Sequence, residues 1–189
     1  EVIDAKPDIQ QIFGSKKVQK AFLDRFAKAK GLNLEKDWYT GLEERHKTSS
    51  YREQNEKKLM SRKNFDALGS FNKIDRSEAL DLLGVKTQLV FPTSPNVWLE
   101  SLEHSNKVDL LYEVASATNR AQTDFCSDDE RLFPVTYIPL ADIKKASSAA
   151  AEAIKLGSKA LLIPWACPKN HATSHIGLDN VWSQAVEAN

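Results

Sequence analysis

Residues 133–140 read FPVTYIPL, and a helical pattern begins two residues later at Asp142. Two shorter apolar runs, Val85–Phe91 and Ala160–Ile163, lie on either side of this stretch, and each is followed directly by a proline. Strands that are buried on both faces have nearly continuous apolar sequences, whereas half-exposed strands alternate. Because these runs alternate with helical patterns, they predict a parallel sheet covered by helices. The predicted strands are 86–91, 133–139 and 159–163, adjacent in that order.

The helices between the strands have recognisable ends. Asp75 and Glu78 form a capping-box pattern, and Gly84 stands where that helix should stop. Asp142 and Asp179 are candidate N-caps of two later helices. The longer connections between strands are therefore expected to be helical.

The first third of the chain has a different composition, so we divide the chain into an N-terminal helical and irregular segment, 1–72, and a strand-and-helix region, 73–189. An apolar stripe at helical spacing runs over 10–30, with Ser15 as a candidate N-cap. Residues 32–72 are polar and charge-rich, which predicts a long loop with short helical turns.

The composition excludes several classes of function. Lys plus Arg and Asp plus Glu each total 26, and the zero net charge gives no reason to expect nucleic acid or a membrane surface as a partner. The apolar runs are too short to cross a bilayer. A nucleotide-binding doubly wound domain would need a phosphate loop, and neither G-x-G-x-x-G nor G-x-x-x-x-G-K occurs. Cys126 and Cys167 lie far apart, which favours a reducing, cytoplasmic location.

Three stretches carry a resemblance to a known family. Residues 80–93 read LDLLGVKTQLVFPT, residues 119–142 contain Asn-Arg, Arg-Leu and Pro-Leu-Ala-Asp in that order, and residues 178–182 read LDNVW. Over about 62–189 the chain resembles the amidohydrolase-related family of metal-dependent (β/α) barrels. Asn180 stands where that family usually has Pro.

The resemblance implies both a fold and an activity. The fold would be α/β, a partial (β/α) TIM-type barrel with a helical and irregular N-terminal segment. Residues 73–189 would be its early βα units, truncated at the C-terminus, and this fragment is expected to be inactive alone. The parent enzyme would hydrolyse, or decarboxylate without oxidation, a small carboxylic acid, with aromatic acids among the candidates. It would use a divalent metal, often zinc.

The metal ligands that the family uses are not found in this chain. The four histidines do not form a His-x-His pair; they are His46, His104, His171 and His175. The last two are four residues apart, but Pro168 and Gly177 oppose a helix that would bring them onto one face. A divalent ion needs three or four converging ligands. We therefore expect the ligands of the parent enzyme to lie outside this chain.

Three residues are candidates for binding a small-molecule substrate, because active sites of such enzymes lie at the C-terminal ends of the strands. Thr93 follows the first predicted strand, Trp165 follows the third, and His175 lies in the loop beyond it. Each has a simpler alternative: Thr93 in helix or turn capping before Pro95, Trp165 in packing over the barrel mouth, and His175 as a solvated or structural loop residue. No catalytic residue is predicted, and a homo-oligomer is allowed. The alternative function is a non-catalytic α/β scaffold or interaction domain.

Overall fold

The computed structural model describes residues 14–30, 41, 44–62 and 66–188. Two short 3₁₀ turns, Leu59–Ser61 and Ile176–Leu178, accompany the regular elements. In chain order these elements are α1 Lys16–Lys30, α2 Ser49–Lys58, α3 Lys73–Leu83, β1 Gln88–Val90, α4 Thr93–Glu103, α5 Val108–Cys126, β2 Leu132–Tyr137, α6 Ile143–Lys155, β3 Ala160–Leu162 and α7 Asp179–Glu187.

The three strands form one parallel sheet in the order β1-β2-β3, which confirms the predicted pairing and order. β1 pairs with the first half of β2, where Gln88 lies opposite Leu132. β3 pairs with the second half, where Ala160 lies opposite Val135. The central strand thus exchanges one neighbour for the other midway along its length.

The predicted (β/α) barrel is wrong. The described residues form an open three-stranded sheet among helices, a small α/β fold in which β1 and β3 each have one neighbouring strand. Alternating helices and buried strands are common to barrels and open sheets. A barrel additionally requires enough strands, with a stagger that closes the sheet. The apolar pattern of single strands carries no information about that closure.

Pro134 lies in the central strand, where proline is normally excluded because it cannot donate to the ladder. Its carbonyl accepts from the Lys159 N–H at 2.9 Å, so this residue turns its polar groups towards β3. The first paired residue of β3 is Ala160, opposite Val135. The missing N–H of Pro134 therefore falls just ahead of β3, where no strand requires it.

A side chain of α5 replaces a neighbouring strand beside the second half of β2. The Tyr137 N–H donates to Asn119 Oδ1 at 2.9 Å, and Asn119 Nδ2 donates to the Tyr137 carbonyl at 2.9 Å. One turn further on, Gln122 Nε2 donates to the carbonyl of Val90, the last residue of β1. These amides satisfy backbone groups that the short β1 strand leaves unpaired.

Three apolar clusters pack on the sheet, and the smallest joins Leu80 of α3 to Val90 and Leu132 of the strands. In the first, α1 packs on α4 and α5, with the Phe22 and Trp98 rings edge to face at 4.9 Å. In the second, α6 and α7 pack around Ile138 and Leu140, and the predicted alanine stripe of α6 is buried at Ala146, Ala150 and Ala153. Because α1 shares a core with α4 and α5, the sheet region draws on residues of the first third. The division at residue 72 stays a prediction.

The predicted helix ends are partly right. Asp142 accepts from the N–H groups of Lys144 and Lys145, and Gly84 ends α3 in the left-handed conformation at φ 63°, as predicted. The predicted cap Asp75 is wrong, because Asn72 caps α3 instead. Asp179 is also not a cap: it is the first residue of α7 and makes no capping hydrogen bond.

The predicted loop over 32–72 is wrong for Ser49–Lys58, which forms the ten-residue helix α2. Its sequence has almost no apolar stripe, so periodicity could not reveal it. Tertiary contacts stabilise it: Arg52 pairs with Asp75 and Glu78, and the Tyr51 hydroxyl donates to the Asp66 carbonyl at 3.1 Å. Residues 32–40 of that loop, and 10–13 of the predicted first helix, lie outside the described residues. The helix after them begins at Lys16, with Ser15 accepting from the Val18 N–H as predicted.

Candidate functional site at the carboxyl ends of the strands

The C-terminal ends of the three parallel strands lie along one side of the sheet. We call the segments that follow them, residues 91–93, 138–142 and 163–165, the carboxyl edge; each contains a proline. Ligands of open parallel α/β sheets bind in the crevice outside these ends. The carboxyl edge is therefore where the fold places a candidate site.

Glu100 joins α4 to two of the strand ends. Its Oε1 accepts from the Trp165 backbone N–H at 3.2 Å and from the Tyr137 hydroxyl at 3.3 Å. The residue is 4% exposed. The carboxyl group thus fixes the backbone that follows β3 against the end of β2.

Glu103 lies one helical turn further along α4 and is 1% exposed. Its Oε1 accepts from the Leu140 N–H at 2.8 Å, so it holds the segment that follows β2. Tyr112 of α5 supports the same segment, since its hydroxyl accepts from the Asp142 N–H at 3.2 Å and donates to a carbonyl of Asp142 or Pro139. Together the two glutamates connect one helix to the segments after β2 and β3.

The second oxygens of both glutamates are buried without a hydrogen-bond donor in the described part of the chain. Neither carboxyl forms a salt bridge with a Lys or Arg of these residues. A buried carboxylate without a cation is costly, and such a group normally neutralises by binding a proton. The pair is therefore an exception that needs a chemical explanation.

Burial, and to a smaller extent the nearby charge of Glu100, raises the pKa of Glu103 to about 7, while hydrogen bonds from the Leu140 and Ala141 N–H groups oppose the shift. Burial likewise raises the pKa of Glu100, while hydrogen bonds from the Trp165 N–H and the Tyr137 hydroxyl oppose the shift. The pKa of Tyr137 is also raised, first by burial and then by the two glutamates. Perturbed carboxyl groups of this kind cluster at functional sites, although structural networks also produce them.

The three residues predicted from the sequence make different contacts. Trp165 has a 71% exposed side chain at the carboxyl edge, and its backbone is held by Glu100. Thr93 is the first residue of α4, and its hydroxyl donates to the Phe91 carbonyl at 3.3 Å within its own turn. His175 is exposed, and its Nδ1 accepts from the Gly177 N–H at 3.0 Å at the start of a 3₁₀ turn.

These contacts favour the simpler interpretation for two of the three residues. The bonds of Thr93 and His175 organise local turns, as the alternatives to substrate binding required. Trp165 is the residue that the structure brings next to the buried carboxyl pair. Substrate binding by Thr93, Trp165 and His175 stays a prediction.

The described residues do not fit the metal that the resemblance implies. They contain no group of three or more His, Cys, Asp or Glu side chains that could hold a metal ion. His171 and His175 have ring centroids 5.6 Å apart, but His175 Nδ1 already accepts a backbone N–H. Two carboxyl groups on α4 fall short of the three or four ligands of a divalent site. We therefore derive no step through a metal, and the location of its ligands stays a prediction.

A cavity of about 360 Å³ lies in an open groove between α5 and α6, and Tyr112 lines it. Two of its polar groups pair with acidic side chains: Ser116 donates to Glu152 at 2.7 Å, and Lys145 pairs with Asp109. Lys145 also lies 5.8 Å from the centre of the Tyr112 ring. The groove contains no buried carboxyl pair of the kind found at the carboxyl edge.

The sequence analysis missed Glu100 and Glu103, although a signal for one of them is present. Residues 98–103 read WLESLE, and Glu103 lies four residues after Leu99. That spacing places it on the same helix face as a buried leucine. A charged residue within an apolar helical stripe predicts a buried polar contact.

Neither a protein-family model, nor a curated protein, nor a solved structure matches this chain. Among the described residues, none of the helices has the length and apolar character that crossing a membrane requires. The resemblance to the amidohydrolase-related family therefore rests on the three sequence stretches that carry it.

Proposed function

We propose that this chain is part of an amidohydrolase-related enzyme that binds a small carboxylic acid at the carboxyl edge. The reaction class is metal-dependent hydrolysis or non-oxidative decarboxylation. The observation that supports a site at this position is the exposed Trp165 beside the buried Glu100–Glu103 pair, where three parallel strands end. No metal-assisted step is assigned to the described residues.

Trp165 would form a wall of the substrate site. Its backbone N–H is fixed by Glu100, while its indole remains largely exposed at the rim. An exposed indole on a fixed backbone offers a flat apolar surface against which an aromatic ring can stack, and aromatic contacts contribute about 0.5–1.5 kcal/mol beyond the area they bury. This chemistry favours an aromatic acid over an aliphatic one.

The remaining features of the proposal concern location and partners. We place the protein in the cytoplasm, because both cysteines are free and Cys167 is exposed as a thiol. The zero net charge supports a small-molecule substrate rather than nucleic acid. The proposal includes self-association, since Leu89 of the edge strand β1 and Phe91, which directly follows that strand, are each 51% exposed.

A non-catalytic α/β interaction domain is the second candidate. The exposed Leu89 and Phe91 favour it, because Leu89 lies on β1 and Phe91 directly follows it, and the outer edge of β1 has no strand partner in the described sheet. In that case the carboxyl edge would be a structural junction. The two candidates differ in whether an aromatic acid binds near Trp165.

Calorimetric titration with benzoate and, separately, acetate tests the proposal. We expect benzoate to bind more tightly than acetate, and Trp165→Ala to weaken benzoate binding about tenfold, because the stacking surface is lost. Ile176→Ala is the matched control, since Ile176 is a comparably exposed apolar residue in a 3₁₀ turn. Equal affinities of all three proteins, or no benzoate binding, would remove the support for this site and favour the interaction domain.

A further inference from the structure

The groups that face the Glu100–Glu103 pair come from several elements. His104 of α4 acts electrostatically on Glu100, and Tyr137 of β2 donates to it. Tyr112 of α5, which hydrogen-bonds at Asp142, interacts electrostatically with Glu103. The described surroundings thus offer hydroxyl and backbone N–H donors to the two carboxyl groups, and no Lys or Arg ion pair. Two buried carboxyl groups in such surroundings cannot both carry a full charge at low cost.

We propose that Glu100 and Glu103 retain one proton between them at neutral pH, and that this proton keeps the segments following β2 and β3 seated on α4. The geometry supports this role, since one oxygen of each glutamate accepts a hydrogen bond from a backbone N–H of those segments. The other oxygen of each is buried without a donor in the described residues. A proton on one of these oxygens removes the charge that burial disfavours.

Glu103 is the residue that holds the proton. It is the more deeply buried of the two, whereas the Tyr137 hydroxyl and the Trp165 N–H stabilise the carboxylate of Glu100. The backbone N–H groups that Glu103 faces, at Leu140 and Ala141, do not offset the effect of its burial. Glu100 is therefore the ionised member of the pair, and Glu103 is the protonated one.

Loss of this proton to solvent would loosen the carboxyl edge. With both groups ionised, their repulsion and their lost hydration favour rotation of Glu103 out of its buried position. The Leu140 N–H would then lose its acceptor, and the segment after β2 would move away from α4. This inference stands whether or not the carboxyl edge binds a substrate, so its failure would leave the proposed function untouched.

Urea unfolding at several pH values between about 5 and 8 tests the inference. Glu103→Gln keeps the shape and an acceptor oxygen but cannot ionise, and Glu130→Gln, at an exposed glutamate before β2, is the matched control. Each protein is compared with its own stability at pH 5, so a uniform loss of stability cancels.

We expect the folding constant of the wild-type protein and of Glu130→Gln to fall by roughly two orders of magnitude from pH 5 to 8, because a raised folded-state pKa removes stability as pH rises. Glu103→Gln should lose that decline. A wild-type slope in Glu103→Gln, or no slope in the wild-type protein, would overturn the inference.

If Glu103→Gln does not fold, infrared spectroscopy of the wild-type protein decides the question. The carbonyl band of a protonated carboxyl group should be present near pH 6 and absent near pH 9. Its absence near pH 6 would show that both glutamates are ionised and that no proton is retained.

Discussion

Asp75 and Glu103 are both buried acidic side chains, yet the molecule treats them in opposite ways. Asp75, at the junction of α2 and α3, receives the Arg52 guanidinium at 2.7 Å. Glu103, at the carboxyl edge, receives a backbone N–H and has no salt bridge within the described residues. The first carboxylate is neutralised by a cation and the second by a proton.

Neutralisation by a cation and neutralisation by a proton give the two regions different properties. An ion pair fixes α2, whose sequence provides little apolar surface of its own. A proton can be exchanged with solvent near neutral pH, so the carboxyl edge can respond to its surroundings in a way that the α2–α3 junction cannot. The predictions below test whether these two modes of neutralisation are real.

Removing the cation should have the largest effect. Arg52→Ala leaves Asp75 buried without a partner, and breaking a buried pair from one side costs about 3–5 kcal/mol in the free energy of unfolding. Because Arg52 is itself 31% exposed, we expect a loss near the lower end, about 3 kcal/mol, in urea denaturation.

Arg45→Ala is the matched control for that variant. Arg45 pairs with Asp66 at 2.6 Å, but both side chains are about half exposed, so the expected loss is below about 1 kcal/mol. Equal losses in the two variants would show that burial of Asp75 does not matter and would break the comparison.

The proton-neutralised region should lose local stability as pH rises. The pKa of Glu103 is raised, so its contribution is fully present below its ordinary range and is lost as pH rises through about 7. The full shift corresponds to roughly 3 kcal/mol. Hydrogen exchange, corrected for the intrinsic rate, should show the Leu140 amide less protected at pH 8 than at pH 6. Amides of α3 beside Asp75 that exchange by local opening should be unchanged, and a parallel change in those amides would contradict local control by Glu103.

Asn119 is a neutral side chain at the same end of the sheet as Glu103, so its removal tests that region without a change of charge. Asn119→Ala leaves the buried N–H and C=O of Tyr137 without partners, which should cost about 2 kcal/mol. Gln122→Ala removes a single bond to the Val90 carbonyl and should cost about 1 kcal/mol. Thermal unfolding of both variants measures the difference, and a smaller loss for Asn119→Ala would show that Tyr137 finds other partners.

Trp165→Ala should have the smallest effect on stability. Its indole is 71% exposed, so we expect a change within about 0.5 kcal/mol in the free energy of unfolding. Leu111→Ala, at a fully buried position of α5, should cost about 2–5 kcal/mol in the same assay. A large loss for Trp165→Ala would assign the indole to packing rather than to an exposed rim.

The fold could be predicted from the sequence wherever one element buried its own apolar residues. The runs around Val90, Val135 and Leu161 revealed three adjacent parallel strands, and Asp142 revealed the start of α6. Closure into a barrel could not be derived, because it depends on strand number and stagger. Helix α2 could not be found either, since Arg52 stabilises it through partners more than twenty residues away.

The sequence predicted that Trp165 lies at the carboxyl ends of the strands, but it did not predict the buried glutamates beside it. Strand order located the carboxyl edge and Trp165 within it. Two residues with raised pKa values, Glu100 and Glu103, were missed because their burial results from segments that follow β2 and β3. Sequence spacing placed Glu103 on a buried helix face, whereas its lack of a cation became evident only from the packed structure.

The most direct test is a carbon-13 NMR titration of the side-chain carboxyl group of Glu103, assigned by its loss in Glu103→Gln. We expect its chemical shift to change with a midpoint near pH 7, well above the ordinary glutamate pKa of about 4.3. A midpoint for Glu103 close to that ordinary value would mean that the buried carboxyl is charged at neutral pH. The account of a proton-held carboxyl edge would then be wrong.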